Sequence, residues 1–135
     1  MKPRMIQAHM DAAAVYADLS YCVRSKVGCV IVKDDRIVSI GYNGTPPGED
    51  NTCEDINNVT KPNVIHAEIN AINKIASEPH LLQGAALFCT YMPCLPCARK
   101  IFEVGVTQVF YRYAYRLVDG VTYLVDNEID VQQLE

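Results

Sequence analysis

Residues 27–32 (VGCVIV) and 36–42 (RIVSIGY) are two apolar, β-branched runs with a charged turn at Asp34 and Asp35 between them. Such a pair reads as a β-hairpin. A hairpin cannot bury its own faces, so the rest of the chain must cover it with helices or further strands. Ile6, Met10, Ala13, Ala14, Ala17 and Tyr21 recur at helical spacing over residues 5–23, with Gly28 just beyond. A second helix is expected over residues 64–77, where Ile65, Ile69, Ile72 and Ile75 share a face ahead of Pro79. Residues 85–91 (AALFCTY) read as a buried strand and residues 93–105 as a short helix, with Pro93 before its first turn and Gly105 at its end. Residues 107–113 (TQVFYRY) read as a fourth strand and residues 121–126 (VTYLVD) as a fifth. The order αββαβαββ predicts a three-layer α/β/α sandwich with a five-stranded mixed sheet, in one domain over residues 1–135.

Composition narrows the function. Half of the 135 residues are apolar and 21% are charged, which excludes a disordered chain. No apolar run approaches the ~20 residues that cross a bilayer, and acids interrupt the apolar N-terminal stretch, so no membrane partner and a cytoplasmic location are expected. Lys plus Arg number 12 against 16 Asp plus Glu, which argues against a broad nucleic-acid surface and leaves small anions held locally. Six cysteines are many for a reducing compartment, where clustered thiols more often bind metal than pair.

Two short patterns carry the chemistry. His66-Ala67-Glu68 opens the second expected helix, and Pro93-Cys94-Leu95-Pro96-Cys97 opens the third. One imidazole and two thiolates suit zinc, and three protein ligands leave its fourth tetrahedral position open, as a catalytic site requires. Cys94 and Cys97 are neighbours on one helical turn, so both sulfurs reach one ion. His66 and Glu68 are two apart and cannot share a lateral helix face, so the ion must lie over the helix end. Zinc lowers the pKa of its water from about 15.7 to about 7, supplying hydroxide at neutral pH, and an unligated carboxylate beside it can shuttle protons.

At these residues the sequence resembles the zinc-dependent cytidine and deoxycytidylate deaminase family, with its H-x-E and P-C-x-x-C signature. Gly41-Tyr42-Asn43-Gly44-Thr45-Pro46 and the run from His66 to Ile72 are similar to its deoxycytidylate (dCMP) branch. The resemblance runs from about Met5 to Val125. It implies zinc on His66, Cys94 and Cys97, Glu68 as proton shuttle, and hydrolysis of dCMP to dUMP and ammonia. It assigns Asn43 to the sugar and the Ala67 amide to the base carbonyl, with Thr45, Tyr115 and Arg116 as further substrate contacts. It also implies dCTP and dTTP as effectors, met by Arg24, Lys26, Gly41, Tyr42, Asn43 and Gly44, and a homo-oligomer, usually a hexamer. Only residues 117–120 separate the expected fourth and fifth strands, so a helix that relatives carry there is expected to be missing. A second zinc, found in some relatives, would need Cys53 and further ligands, and the 43–63 loop contains no His to complete it.

Other readings of the same residues stay open at this level. A tRNA adenosine deaminase or a deaminase of free (deoxy)cytidine would use the same zinc machinery, and a zinc-stabilised binding module would not need Glu68. Cys22, Cys29 and Cys89 read as small buried hydrophobes, Cys53 as a loop thiol, and His9 and His80 as surface residues. The loop from Asn43 to Asn63 is long enough to be functional.

Overall fold

The computed structural model describes residues 1–135. Helix α1 spans Pro3–Ala17, strands β1 and β2 span Gly28–Lys33 and Arg36–Tyr42, and helix α2 spans Ala67–Lys74. Strand β3 (Ala86–Tyr91), helix α3 (Leu95–Glu103), strand β4 (Gln108–Tyr113), helix α4 (Asp119–Asp126) and strand β5 (Asp130–Gln133) follow. A short 3-10 turn at Pro79–Leu81 precedes β3. Asp34 and Asp35 both have positive φ, which is the conformation that closes a two-residue hairpin with the twist of its strands.

The sheet order is β2-β1-β3-β4-β5. β1 runs antiparallel to β2 and β3, while β3, β4 and β5 are parallel, so the sheet is mixed as expected. Side chains alternate between its faces. Val30, Val32, Ala86, Phe88 and Phe110 pack with Met10 and Ala13 of α1 on one face. Cys29, Ile31, Leu87, Cys89 and Val109 pack on the other with Ala67, Ala71 and Ile72 of α2, Ala98 and Ile101 of α3, and Leu124 of α4. These are the two interfaces of a three-layer sandwich.

Residues 121–126, expected as the fifth strand, instead lie within α4, and β5 is the polar segment DVQQ. β5 lies parallel to β4, and a parallel neighbour cannot be reached through four residues, so a crossover element is required. The β-branched run VTYLVD supplies it as a helix because Leu124 then packs into the core with Tyr123 against it. The C-terminal third is accordingly not short of its helix. Gly120 admits this packing: a Cβ there would stand 2.8 Å from the Cys94 carbonyl carbon.

Two smaller expectations also change. His9 is buried at 6% exposure against Phe88, since its position on α1 faces the sheet, whereas His80 is exposed as expected. Cys22, expected as a free buried thiol, is bonded to Cys53 across 31 residues. No helix is long and apolar enough to cross a membrane.

Candidate metal and nucleotide site

Two helix starts converge beyond the ends of β1 and β3. His66 is the N-cap of α2 and Cys94 the N-cap of α3, both with extended backbone, and Cys97 sits in the first turn of α3. His66 Nδ1 lies 3.5 Å from Cys94 Sγ and 3.3 Å from Cys97 Sγ. A tetrahedral zinc with Zn–S near 2.3 Å and Zn–N near 2.0 Å needs N···S separations of about 3.6 Å, so the donor set fits that ion. The partial positive charge of both helix ends points at the same spot and favours thiolate.

The ionisation of the three donors agrees. The Cys97 thiol, and then the His66 ring, hold Cys94 down to about 4, whereas Cys97 is pushed up by its hydrogen bond to the Cys94 sulfur and by burial. The hydrogen bond to Cys94 raises His66, against the opposing effect of its burial. A divalent cation bound here would displace the thiol protons and hold both sulfurs as thiolates.

Glu68, in the first turn of α2, is only 4% exposed. Burial raises its carboxyl above the ordinary range, while the His66 charge pulls the other way. A buried carboxyl poised above its usual pKa beside a metal-ligand set is suited to taking and returning a proton. Cys29 and Cys89 are pushed up by burial and stay neutral in the core.

A cavity of about 320 Å³ opens over these groups. His66, Glu68 and Cys94 line it with Asn43, Ala67 and Tyr115. Ala67 is the first residue of α2, so its N–H has no partner inside the helix and remains available to a ligand. Tyr115 stacks on Tyr91, their ring centroids 5.2 Å apart, and burial first, with Glu68 nearby, pushes its phenol up to about 12. Asn43 is fixed at both ends of its amide: Oδ1 accepts from the Val27 N–H at 2.8 Å, and Nδ2 donates to the Ser25 carbonyl at 2.8 Å.

The remaining sequence expectations divide. Thr45 lines a second depression with Tyr21, Tyr42, Asn43, Gly44 and Lys74, outside the cavity over Glu68. Gly41 is buried, lines neither concavity, and packs so closely that a Cβ on it would stand 2.6 Å from the Ala71 nitrogen. Arg24, Lys26 and Arg116 are exposed beside the cavity-lining Ser25 and Tyr115 and line neither concavity. Ser25, Thr60, Val64, Tyr91 and Met92 line the main cavity without having been singled out in the sequence. Tyr91 and Met92 immediately precede Pro93, a proximity that pointed to them.

A second metal at Cys53 is not provided for. Cys22, Cys53 and Glu54 have donor atoms within 4.8 Å of one another, but the sulfurs are joined and the Glu54 carboxylate accepts from the N–H groups of Val23 and Arg24.

Comparison with known proteins gives the family. Residues 3–113 match the family model described as the cytidine and deoxycytidylate deaminase zinc-binding region. The deoxycytidylate deaminase of Saccharomyces cerevisiae is 36% identical over 126 residues, covering 87% of this chain and 40% of that protein. The deoxycytidylate deaminase of Mycobacterium phage D29 is 34% identical, covering 82% of this chain and 95% of that one. The dCMP deaminase of cyanophage S-TIM5, solved in complex with dCMP and dUMP, superposes with a TM-score of 0.95 at 40% identity, covering 99% of each chain. This chain thus spans about 40% of the length of the yeast relative it matches. The two helix-end motifs, the donor geometry and these matches together make the chain a member of the cytidine and deoxycytidylate deaminase family.

Proposed function

We propose that this protein is a zinc-dependent dCMP deaminase, converting dCMP and water to dUMP and ammonia. The single observation that carries the reading is the buried, unligated Glu68 beside a three-donor set that leaves one tetrahedral position open. The dCMP and dUMP bound by the cyanophage relative support the choice of nucleotide.

His66, Cys94 and Cys97 would hold zinc, which supplies Lewis-acid activation of water at neutral pH. Glu68 would carry both protons of the water: the first to the ring nitrogen as the water oxygen bonds the amino-bearing ring carbon, the second from that oxygen to the amine, so that the carbon–nitrogen bond breaks to release ammonia as the carbonyl forms. The Ala67 N–H receives the base carbonyl. Asn43 keeps one donor hydrogen and one acceptor lone pair for the sugar after its two backbone contacts. Tyr115 and Tyr91 form an aromatic wall, and Arg116 beside it meets the phosphate at the rim.

The depression lined by Tyr42, Asn43, Gly44, Thr45 and Lys74 is the place for a regulatory nucleotide, dCTP or dTTP, since it shares Asn43 with the catalytic cavity. Arg24 and Lys26 belong to the same proposal as phosphate contacts. A cytoplasmic location, resting on the sequence reading above, and a hexameric assembly, resting on family resemblance, complete it.

Ammonia release from a panel of dCMP, CMP, deoxycytidine, dCTP and tRNA tests the reading. dCMP should react with the highest kcat/KM. Turnover confined to deoxycytidine would overturn both the nucleotide assignment and the role of Arg116.

A further inference from the structure

Three side-chain polar atoms are shielded from solvent without a hydrogen-bond partner: His9 Nε2, Arg112 Nε and Ser25 Oγ. The first two face the α1 side of the sheet, away from the cavity. Ser25 lines the cavity over Glu68, with the Tyr115 hydroxyl across from it.

The segment bearing Ser25 is held at many points. Cys22 is bonded to Cys53, and its N–H donates to Ser20 Oγ at 3.1 Å. The N–H groups of Val23 and Arg24 donate to Glu54. The Ser25 carbonyl and the Val27 N–H are both bound by the Asn43 amide. The backbone on both sides of the serine is thus held, while its own hydroxyl has no hydrogen-bond partner at normal distance and faces only the Tyr115 hydroxyl. Buried polar groups are ordinarily paired, and an exception at a rigid cavity wall marks a partner supplied from outside the chain.

The class of that partner follows from charge and depth. A phosphate dianion requires fixed cations, and the cations here, Arg24 and Lys26, flank Ser25 on the exposed side. One neutral, solvent-shielded hydroxyl would not neutralise a dianion, but it matches another hydroxyl as donor or acceptor. Under the nucleotide reading above Asn43 meets the sugar, and since the same amide holds the Ser25 carbonyl, the serine stands at the level of the sugar.

Resting on the nucleotide reading above, we propose that Ser25 is a specificity-determining residue that hydrogen-bonds the 3′-hydroxyl of the substrate's deoxyribose.

The test is a cycle between the side chain and the sugar. Binding of dCMP and of 2′,3′-dideoxycytidine monophosphate is measured by calorimetry on zinc-loaded protein carrying Glu68→Ala, with and without Ser25→Ala. Melting temperatures and zinc contents confirm that each variant is folded. Removing either hydroxyl alone should weaken binding about five- to fiftyfold, and removing both should cost no more than removing one. In the active protein, Ser25→Ala should raise KM for dCMP by a similar factor and leave kcat within about twofold. Equal losses on the two nucleotides would overturn the proposal. So would a loss that disappears when the phosphate, and not the 3′-hydroxyl, is removed. Repeating the cycle with deoxycytidine and dideoxycytidine separates failure of this contact from failure of the dCMP assignment, because the sugar contact should persist on the nucleoside.

Discussion

Gly41 of β2 lies so close to Ala67 of α2 that a Cβ on the glycine would overlap the Ala67 carbonyl oxygen and stand 2.6 Å from the Ala71 nitrogen. The strand that leads into Asn43 therefore packs directly on the first turn of the helix that carries His66 and Glu68. Gly41→Ala must push the two apart. Overpacking of this kind costs about 1–3 kcal/mol, and here the displaced backbone holds the catalytic turn. Denaturant unfolding should show that loss, and zinc titration should show weaker binding. An unchanged unfolding midpoint would mean that β2 and α2 separate without cost.

Removing one metal donor tests the ligand set. Cys94→Ala leaves His66 and Cys97 with two of the three donors. Metal analysis after dialysis should find less than one-tenth of the wild-type zinc, and ammonia release should fall with it. Full zinc retention would show that the ion is held elsewhere.

The Cys22–Cys53 bond closes a loop with a sequence separation of 31, and in the chain-entropy model such a loop is worth about 3–4 kcal/mol. Melting with and without reductant should show the wild type losing stability in reductant, while Cys22→Ser with Cys53→Ser shows no response. A reductant effect on the double variant would contradict this. The expectation of a buried free thiol at Cys22 and a loop thiol at Cys53 overlooked this pair, because nothing in their spacing reports that the 43–63 loop folds back. The loop does so by pairing Gly44 with Ile65 and seating the Glu54 carboxylate on Val23 and Arg24.

Asp11 on α1 contacts Arg112 on β4 at 3.0 Å. Hydrogen bonds from Gln7 first, and then from Arg112, lower its carboxyl below the ordinary aspartate value. A carboxyl depressed in the folded state stabilises the fold above its unfolded pKa and loses that contribution as pH falls through the lower folded value. The stability difference between wild type and Asp11→Asn, small because Asp11 is exposed, should be present at pH 6 and vanish below the folded pKa. A difference that grows toward low pH would reverse the assigned sign.

The parts of the fold with strong periodicity were legible in the sequence. β2 matches its expected run at both ends, and β1, β3 and β4 match within one residue, because buried β-branched and aromatic residues between turns leave few alternatives. The expected second helix shortened to Ala67–Lys74 because His66 caps it in extended conformation, which is what lets the imidazole turn toward the sulfurs. The α4–β5 end was misread because VTYLVD has strand-forming composition and DVQQ does not, and in both cases position in the sheet overrode composition. At the site, His66, Glu68, Cys94 and Cys97 were legible as motifs on helix ends. Ser25 was not, since a single serine has no pattern until Asn43 and Glu54 are seen to fix its neighbours.

Turnover of dCMP by Glu68→Ala protein at full zinc occupancy tests the central claim most directly. The open metal site with a buried carboxyl beside it predicts one zinc per chain and dUMP formation reduced by at least about a thousandfold, the loss expected when the group handling every proton transfer is removed. dUMP formation within tenfold of wild type, with zinc still bound, would contradict Glu68 as the proton carrier and with it the deaminase mechanism derived from this site.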